Sequence, residues 1–478
     1  MRIKIPFVGS SYQARSLNAD AQRALNCYVE MDNNSPRAPI ALYGTPGTVL
    51  SFTLPAGPVR NCLTEGGYTW WVSGNAVYRV SSSFVVTTIG SIGTSTGEVG
   101  MVSNGQQILI VDGSKGYLVS VATATMEAIS STAFPNGVKR AAYQDGYFIV
   151  TGNLDSQSFY INQTAYDGAT WDALDFASAE GSPDSTLGVI SSHRELWLFG
   201  QNSTEIWSNT GNVDFPFARS GNTFIEQGCA AAGTVAKADN TVFWLGSDQR
   251  GAGVVWRANG YSPQRISNHA MEREIQGYST IADAYAFTYE QEGHIFYVLT
   301  FPTASKTWVY DAAVQAWHER AWRNPSTGAL LRWRATCHTF NAGLHLVGDF
   351  ETGNVYSLNL NTYTDNGDPI LRLRSTIATE NLQNRMFYSQ LQVEMETGVG
   401  LATGQGVAPL LMLRYSNDGG HVWSNEKVAT VGKVGEYAAR AQFTRLGAGR
   451  NRVWEISMSD PVKFVVLNSD VDIELGTD

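Results

Sequence analysis

Carboxylates are the most numerous side chains in this 478-residue chain that could do acid–base chemistry, with 43 Asp and Glu residues. A glycoside hydrolase needs two carboxylates across a substrate cleft, about 5–10 Å apart. Glu180 with Asp184, and Glu272 with Glu274, are acids that stand close together in sequence. Such pairs arise by chance in a chain with this many acids. We interpret them as solvated loop and helix faces, and we predict no catalytic residue.

The histidines and cysteines show no spacing suited to metal binding or nucleophilic catalysis. The seven histidines form no HExxH motif, and His318 with His338 would make only a pair where a metal needs a cluster. The four cysteines have no CxxC spacing, which favours reduced, packed thiols: Cys27, Cys62, Cys229 and Cys337. No GxSxG lies on a predicted strand-to-helix turn, and the glycine-rich pieces lack a Walker lysine. We therefore predict no metal and no cofactor.

One short motif matches a known turn. Ser416, Asp418, Gly420 and Trp423 form S-x-D-x-G-x-x-W, the Asp-box pattern of sialidases and other propellers. The Asp in such a turn accepts backbone N–H bonds, and the Trp packs below it. Because Asp-boxes are structural even in sialidases, we interpret this one as a hairpin turn without a catalytic role.

The densest basic spot is an arginine cluster in TRLGAGRNRVWEI, made of Arg445, Arg450 and Arg452. Its arginines surround a glycine-rich turn that leads into a predicted strand. The cluster is a possible contact for phosphates or for an acidic partner. The alternative is that these arginines form salt bridges and support the hairpin.

The net charge is −10, and it is spread unevenly along the chain. Residues 1–40 carry a net charge of +2, residues 41–369 carry −11, and residues 370–478 carry −1. A body this acidic repels phosphate backbones, which argues against a sequence-independent DNA binder. It could line a passage through which DNA slides without sticking, or it could serve only solubility.

Composition and targeting signals narrow the class further. Charged residues make up 16% and aromatic residues 11%, with 47 glycines, a balance typical of strands and tight turns. The hydrophobic content of 43% is too high for a disordered chain. The sequence has neither a signal-peptide core nor a membrane-length apolar run, so we expect a soluble, unsecreted chain.

A repeat runs through the middle of the chain: an apolar strand, a Gly/Asp/Asn turn, and a second strand centred on an aromatic residue. TWWVSGNAVYRV (69–80) and ILIVDGSKGYLVSV (108–121) are two of its seven copies. Turns such as SGN, DGS and TGN supply the positive φ angles that short hairpin loops need. The central aromatics are Tyr78, Tyr117, Tyr160, Trp207, Trp256, Trp308 and Tyr356.

The spacing of these aromatics is 39 to 52 residues, close to the 40–50 residues of a propeller blade. A single blade cannot bury both of its faces, so blades stack around a channel. We predict an all-β chain with a six- or seven-bladed β-propeller over 41–369. A β-sandwich or β-solenoid with irregular hairpins is the alternative.

The segments on either side of the repeats predict different structures. From residue 370, runs such as ILRLRSTIA and QLQVEMETG alternate apolar and polar residues, which predicts a C-terminal antiparallel β-sandwich-like domain over 370–478. The boundary is expected at TDNGDP (364–369). Residues 1–40 predict an N-terminal arm in which 21–32 is a single helix or extended, followed by SPRAP (35–39) as a separator. One internal helix is expected in RISNHAMEREIQGY (265–278), capped by Asn268 and ended by Gly277.

Several stretches resemble one family of viral proteins. They are ALNCYVE with ALYGTPGTVLSF (41–52), GNAVYRV, STEIWSNTG, RISNHAMEREI (265–275), LRYSNDGGHVWSNEK and GEYAARAQFTRLGAGRNRVWEISMSDPVKF (435–464). In these the chain resembles the tail-hub proteins of short-tailed bacteriophages, also called tail-plug, nozzle or packaged-DNA stabilisation proteins. The resemblance covers nearly the full chain.

The resemblance implies a structural virion protein that is assembled in the host cytoplasm. Its partners would be further copies of itself in a ring, expected to be a hexamer, and the head-to-tail adaptor and portal. Tailspikes or tail fibres, and in some phages a tail needle, would dock on the ring, and DNA would pass through the lumen without sequence-specific binding. Two other functions stay open: a virion-associated glycan hydrolase, and a propeller that binds glycans without cleaving them.

Overall fold

The computed structural model describes residues 1–32, 39–151, 156–248 and 251–476. The N-terminal stretch 21–32, expected as a helix or an extended arm, is extended. Residues 35–38 of the expected SPRAP separator lie outside the described residues. The strands that precede the repeats are β1 (Arg2–Lys4), β2 (Tyr12–Gln13), β3 (Ala21–Gln22), β4 (Ala24–Leu25), β5 (Cys27–Met31), β6 (Ile40–Gly44) and β7 (Gly47–Thr53).

Seven antiparallel sheets follow one another along the described part of the chain, and each contains one of the seven predicted hairpins. The first sheet contains β8 (Val59–Glu65), β9 (Tyr68–Ser73), β10 (Ala76–Val80) and β11 (Val86–Ser91). The second contains β12 (Gly100–Ser103), β13 (Gln107–Val111), β14 (Gly116–Ser120) and β15 (Met126–Ala128). The third sheet contains β16 (Arg140–Gln144), β17 (Tyr147–Thr151), β18 (Ser158–Thr164) and β19 (Asp167–Ser178). The fourth contains β20 (Thr186–Ser192), β21 (Glu195–Gly200), β22 (Thr204–Asn209) and β23 (Phe217–Ile225).

The fifth and sixth sheets complete most of the ring. The fifth holds β24 (Gly228–Cys229), a 3-10 turn (Ala232–Thr234), β25 (Ala236–Ala238), β26 (Thr241–Asp248), β27 (Gly251–Asn259) and β28 (Ser262–Arg265). After helix α1 (His269–Gln276), the sixth holds β29 (Tyr285–Gln291), β30 (His294–Phe301), β31 (Lys306–Asp311) and β32 (Ala316–Glu319). The hairpin β33 (Ala321–Arg323) and β34 (Leu330–Arg332) leads to the seventh sheet, whose own strands are β35 (Ala335–Asn341), β36 (Leu344–Asp349) and β37 (Asn354–Asn359).

These sheets form a closed, seven-bladed propeller. Their first strands, with the 3-10 turn of the fifth sheet, contact one another in sequence, and β35 of the seventh sheet contacts β8 of the first. The N-terminal strand β7 pairs with β37, with Leu50 opposite Tyr356, and so supplies the fourth strand of the seventh blade. Because one blade joins strands from distant parts of the chain, the ring cannot open without breaking its hydrogen bonds.

The predicted aromatics all occupy equivalent positions in these blades. Each lies on the third strand of its sheet, namely β10, β14, β18, β22, β27, β31 and β37. Gly74 (φ 55°) and Gly113 (φ 84°) take the positive φ angles expected in the SGN and DGS turns. Residues 152 and 153 of the TGN turn lie outside the described residues. The fold class predicted from the repeat is confirmed.

The remaining strands build a second, antiparallel region. They are β38 (Thr364–Asp365), β39 (Asp368–Pro369), β40 (Arg372–Ser375), β41 (Thr379–Glu380), β42 (Met386–Met395), β43 (Leu410–Ser416), β44 (Lys427–Thr430), β45 (Ala441–Thr444), β46 (Ala448–Gly449), β47 (Asn451–Met458) and β48 (Val465–Leu475). One of its sheets has the order β45-β42-β48-β6-β5, with β1 also paired to β48. The other contains β40, β47, β43 and β44. A core that includes Leu391, Leu413, Phe443 and Trp454 joins them.

The N-terminal arm is part of this sandwich. Strands β5 and β6 extend the first sheet, and β4 lies between β32 of the sixth blade and β40 of the second sheet. A single ten-stranded sheet therefore runs from the propeller through the arm into the sandwich. The boundary expected at 364–369 stays a prediction; there the chain forms the β38–β39 hairpin, which pairs with β7.

Helix α1 matches the expected segment. Asn268 caps it by accepting a hydrogen bond from the Met271 amide at 2.9 Å, and Gly277 lies at its C-terminal end. Its buried side chains include Met271 and Ile275, which join the core between the fifth and sixth blades. The described helices include none that is long and apolar enough to cross a membrane.

Candidate functional site

The Asp-box residues form a hydrogen-bonded turn after β43. Ser416 Oγ donates to Asp418 Oδ1 at 2.5 Å, and the amides of His421 and Val422 donate to the same oxygen at 3.1 and 2.9 Å. The amide of Gly420 donates to Ser416 Oγ at 2.8 Å. The Ser416 hydroxyl, followed by these amides, holds the pKa of Asp418 below its ordinary value. These contacts occupy the carboxylate in fixing the turn.

Trp423, the last residue of the motif, packs at the edge of the same sheet. The guanidinium of Arg414 lies 5.2 Å from the centre of its ring. Arg414 in turn forms an ion pair with Glu455 on β47. The contact between the Trp423 ring and the Arg414 guanidinium, together with the ion pair to Glu455, therefore holds the motif against the neighbouring strands.

The three arginines of the predicted contact cluster have different surroundings. Arg452 is buried; its Nε donates to Asn417 Oδ1 at 2.8 Å and its Nη1 to the Leu446 carbonyl at 2.7 Å. Arg450 is exposed, with one bond from Nη1 to the Gln383 carbonyl at 2.7 Å. Arg445 is exposed at a φ of 57°. Only Arg445 and Arg450 are available to a partner.

The interpretation of the two carboxylate pairs as solvated faces is wrong for one member of each, because Asp184 and Glu272 are buried and hold the structure through internal partners. Asp184 is buried and accepts hydrogen bonds from the Asn202 amide at 2.6 Å and from Ser203 Oγ at 3.0 Å, while Glu180 is exposed. Glu272 accepts from Ser267 Oγ at 2.6 Å and forms an ion pair with Arg265. Its neighbour Glu274 accepts from the Tyr278 hydroxyl at 3.3 Å.

His318 and His338 lie in one aromatic cluster, at opposite ends of a chain of ring contacts through Tyr289 and Phe296. The His338 ring is hydrogen-bonded to His345 at 3.1 Å, and the nearest rings to His318 are Tyr28 and Phe296. Burial lowers the pKa of both histidines to about 3, so both are neutral packing groups. Among the described residues there is no group of three or more His, Cys, Asp or Glu side chains that could hold a metal ion. All four cysteines are buried and free, as their spacing indicated.

A cavity of about 610 Å³ lies on the propeller axis, where β8, β16, β29 and β35 begin. Most charges in its wall already have partners. Arg60 donates to the carbonyls of Gly97 and Thr94 at 2.9 and 2.7 Å, and Arg140 pairs with Glu98 at 2.6 Å. The contacts of Arg60 and Arg140 in the cavity wall thus hold adjacent blades together.

The densest set of buried charges lies where propeller, arm and sandwich meet. Glu319, at the end of β32, is buried and is paired with Arg23 of the arm at 2.7 Å and with Lys306 at 2.7 Å. Burial alone would raise the pKa of Glu319, but the two cations lower it below its ordinary value. The carboxylate therefore ties the arm to the sixth blade in its charged form.

A second ion-paired contact joins the same elements. His294, at the start of β30, lies between Asp311 of the same blade at 2.5 Å and Glu30 of the arm at 2.9 Å. Burial alone would lower the pKa of His294, but hydrogen bonds to Asp311 and Glu30 raise it to about 9. At neutral pH the imidazolium bridges two carboxylates from different elements.

Buried arginines complete this junction. Arg374 of β40 donates to the carbonyls of Phe7 and Ser10 at 2.8 and 3.0 Å and to Gln22 at 2.6 Å. Arg320 donates to the Pro46 carbonyl at 2.8 Å, and its guanidinium lies 3.4 Å from the centre of the Trp333 ring. These bonds include buried backbone carbonyls, those of Phe7 and Pro46, which would be costly to leave without a donor.

No motif or spacing in the sequence pointed to these junction residues. Their partners are far apart in the chain, as with Arg374 and Phe7, so no local spacing connects them. The one visible signal is the run of arginines in ILRLRSTIA, where Arg372 and Arg374 alternate with apolar residues and would be read as an exposed strand face. Both side chains are instead buried.

Solved propeller structures show a low level of similarity. Examples are the WD40 domain of Neurospora crassa Pan2 (10% identity, 69% of this chain, 97% of that chain, TM-score 0.43) and the N-terminal domain of Nup159 (10%, 70%, 98%, 0.41). A third is the WD40 propeller domain of Doa1 (12%, 65%, 96%, 0.41). No curated protein matches the chain. Since the TM-scores are below 0.5, the classification of this chain rests on family matches.

Two family models match consecutive parts of the chain. The model for the β-propeller of bacteriophage P22 Gp10, a phage stabilisation family, matches residues 22–363. The model for the β-sandwich of P22 Gp10 matches residues 372–474. Their order and extent agree with the two regions of the fold. The chain therefore belongs to the family of bacteriophage P22 Gp10, the structural proteins of the phage tail that stabilise packaged DNA.

Proposed function

We propose that this chain is a tail-hub subunit of a short-tailed bacteriophage, which forms a ring below the portal and adaptor. The ring retains packaged DNA and provides docking surfaces for tailspikes or fibres, and in some phages for a tail needle. Its expected composition is six copies, with DNA passing through the lumen without sequence-specific binding. The observation that carries this proposal is the pair of family matches, which places propeller and sandwich in the order of P22 Gp10.

The junction between the two regions supports a role in which the subunit resists mechanical force. The ten-stranded sheet crosses from the sixth blade into the sandwich without a flexible linker between them. The ion pairs of Glu319 with Arg23 and of His294 with Glu30 hold the arm against the propeller at the same place. A subunit built in this way transmits force between its two ends as one body, which suits a plug that holds DNA inside the head.

Removal of this protein from the phage tests the role directly. We expect heads that package DNA and then lose it, because the tail end of the portal stays open. The measurement is the fraction of DNA-filled heads over time, by gradient sedimentation and electron microscopy, with a complemented strain as control. Particles that stay full and stable without the protein would contradict the proposal.

The axial cavity is the feature that favours the glycan-binding alternative. Its volume of about 610 Å³ lies within the usual range of ligand sites, and Phe287 and Tyr285 line it. Binding of host surface polysaccharide by the isolated protein, with saturation and with unchanged glycan, would support this function. Turnover of the same polysaccharide would instead support the hydrolase.

A further inference from the structure

The outer strand of the third blade is an unpaired edge with exposed apolar side chains. Strand β19 pairs with β18 on one side, and no described strand pairs with its other side. A bulge in its pairing pushes residues 172–175 outward, and the Leu174 side chain there is 80% exposed. Tyr166 and Phe176 are exposed on either side of it. We name Tyr166, Asp172, Leu174, Asp175 and Phe176 the blade 3 edge.

Two half-buried acids of β19, Asp172 and Asp175, stand beside these apolar residues. Residues 141–218 contain ten acids and one base, Arg194, and so hold most of the excess negative charge of the propeller. Asp172 and Asp175 have no ion pair within the described chain. Burial, and then the neighbouring Asp172 carboxylate, raise the pKa of Asp175. An approaching cation would relieve this repulsion.

The sandwich carries a surface of the opposite sign. The side chain of Leu382 is 89% exposed, and Phe387 and Leu475 are exposed at the end where β42 begins and β48 finishes. Three exposed arginines belong to the same end. We name this set the sandwich arginine patch: Leu382, Arg385, Phe387, Arg445, Arg450 and Leu475.

Contacts within the patch hold its members together. The Gly476 amide donates to the Arg385 carbonyl at 2.7 Å, and the Arg385 guanidinium lies 5.5 Å from the centre of the Phe387 ring. The Arg445 amide donates to the Ser389 carbonyl at 3.3 Å. None of the three arginines forms an ion pair with an acid that the structure describes, including the neighbouring Glu474.

The two surfaces belong to different parts of the fold. The sandwich is attached to the sixth blade through β4 and to the seventh through β38 and β7. The third blade is three blades away from the sixth in one direction and three away from the seventh in the other. Contact between two different surfaces is head-to-tail, and it builds a ring when the rotation between copies closes.

We propose that the sandwich arginine patch of one copy docks on the blade 3 edge of the next copy. This inference rests on the ring of the proposed function and names the surfaces that form it. Exposed apolar residues on both sides would form the centre of the interface, and aspartates would face arginines around it. Pairing of one blade 3 edge with another would bring carboxylates together, which disfavours a two-fold dimer through this strand.

Charge reversal tests this pairing. The variants are Asp172→Arg with Asp175→Arg, Arg385→Asp with Arg450→Asp, and all four changes together. The control is Glu127→Arg, which reverses an exposed acid on the outer strand of the second blade. Ring assembly is measured by sedimentation velocity over a range of protein concentrations, alone and with portal–adaptor complexes. Circular dichroism checks that each variant is folded.

Each double reversal should raise the concentration needed for half-assembly roughly tenfold or more, and the combined variant should restore most of the loss. The control should assemble like the unchanged protein. A ring that forms equally well in both double reversals would overturn this inference and leave the proposed function standing. Absence of any ring in the unchanged protein, even with portal–adaptor complexes, would overturn both.

Discussion

At the scale of single residues, Arg452 and Arg445 show how neighbours in sequence take different roles. Arg452 lies under the rings of Tyr388 and Tyr415, at 4.1 and 4.0 Å, and donates to the buried backbone carbonyl of Leu446. Burial lowers its pKa only to about 10, so it stays charged at neutral pH. Arg445, on the preceding turn, has no such contacts for its side chain.

Replacement of Arg452 by Ala should therefore lower the free energy of unfolding by about 3 kcal/mol, because it leaves buried carbonyls unpaired and opens space between aromatic rings. The matched variant Arg445→Ala should change it by less than about 0.5 kcal/mol. Denaturant unfolding of both variants checks this. Equal losses would show that the two arginines share one role.

The His294 bridge predicts a pH dependence of stability. The pKa of His294 in the folded chain is about 9, above the ordinary value of 6.5, so the bridge stabilises the fold fully below pH 6.5. Its contribution falls as the pH rises from 6.5 and is lost above about 9, at most about 3 kcal/mol in total. Unfolding measured from pH 6 to 10 should show this loss.

The variant His294→Gln separates this effect from other titrations. It cannot change its charge, so its stability should vary less between pH 6.5 and 10 than that of the unchanged protein. Parallel curves for the two proteins over that range would rule out a contribution from the imidazolium.

At the scale of elements, local pattern and distant pairing explain what the sequence could and could not predict. Each blade hairpin is built from residues close in sequence, so strand period, turn glycines and aromatic spacing identified all seven. Helix α1 was predictable because its cap, Asn268, is adjacent. The sequence predicted the arm only as a helix or an extended chain, because strands far away in the chain complete its sheets. Ala24 pairs with Arg374, and the β5–β6 hairpin, in which Val29 pairs with Leu42, joins a sheet that contains β48.

The role of a single side chain was likewise predictable where its partners are close in sequence and not where they are distant. The Asp-box turn could be interpreted from its own residues, since Ser416 and Asp418 bond within the motif. The split of the arginine cluster could not, because the rings around Arg452 come from β42 and β43 as well as from β47. Likewise, nothing near Glu319 in sequence indicates that Arg23 pairs with it.

Truncation of the arm tests its place in both regions. Deletion of residues 1–32 removes β4 and β5, which interrupts the ten-stranded sheet and uncovers the sandwich core. We expect the sandwich to lose hydrogen-exchange protection in β40 and β48 while hairpins of the first four blades keep theirs. Deletion of residues 1–4 removes only the edge strand β1 and should leave protection in β40 intact. Unchanged protection in the longer deletion would contradict the role of the arm.

At the scale of the whole molecule, propeller, arm and sandwich are joined by one sheet and carry surfaces of unlike charge. The acidic charge of the propeller is concentrated in residues 141–218 and not spread around the ring of blades. This distribution suits association with another copy better than uniform repulsion of DNA. Because exposed charges are screened by salt, assembly through these surfaces should weaken as ionic strength rises.

The mass of the assembled protein tests the account most directly. It should be measured by sedimentation velocity or mass photometry, first with the protein alone and then with portal–adaptor complexes. We predict a closed ring, expected at six times the subunit mass of 52.0 kDa, that forms alone or is captured by the portal-bearing complex. A monomer that stays monomeric and does not bind these complexes would contradict the tail-hub function.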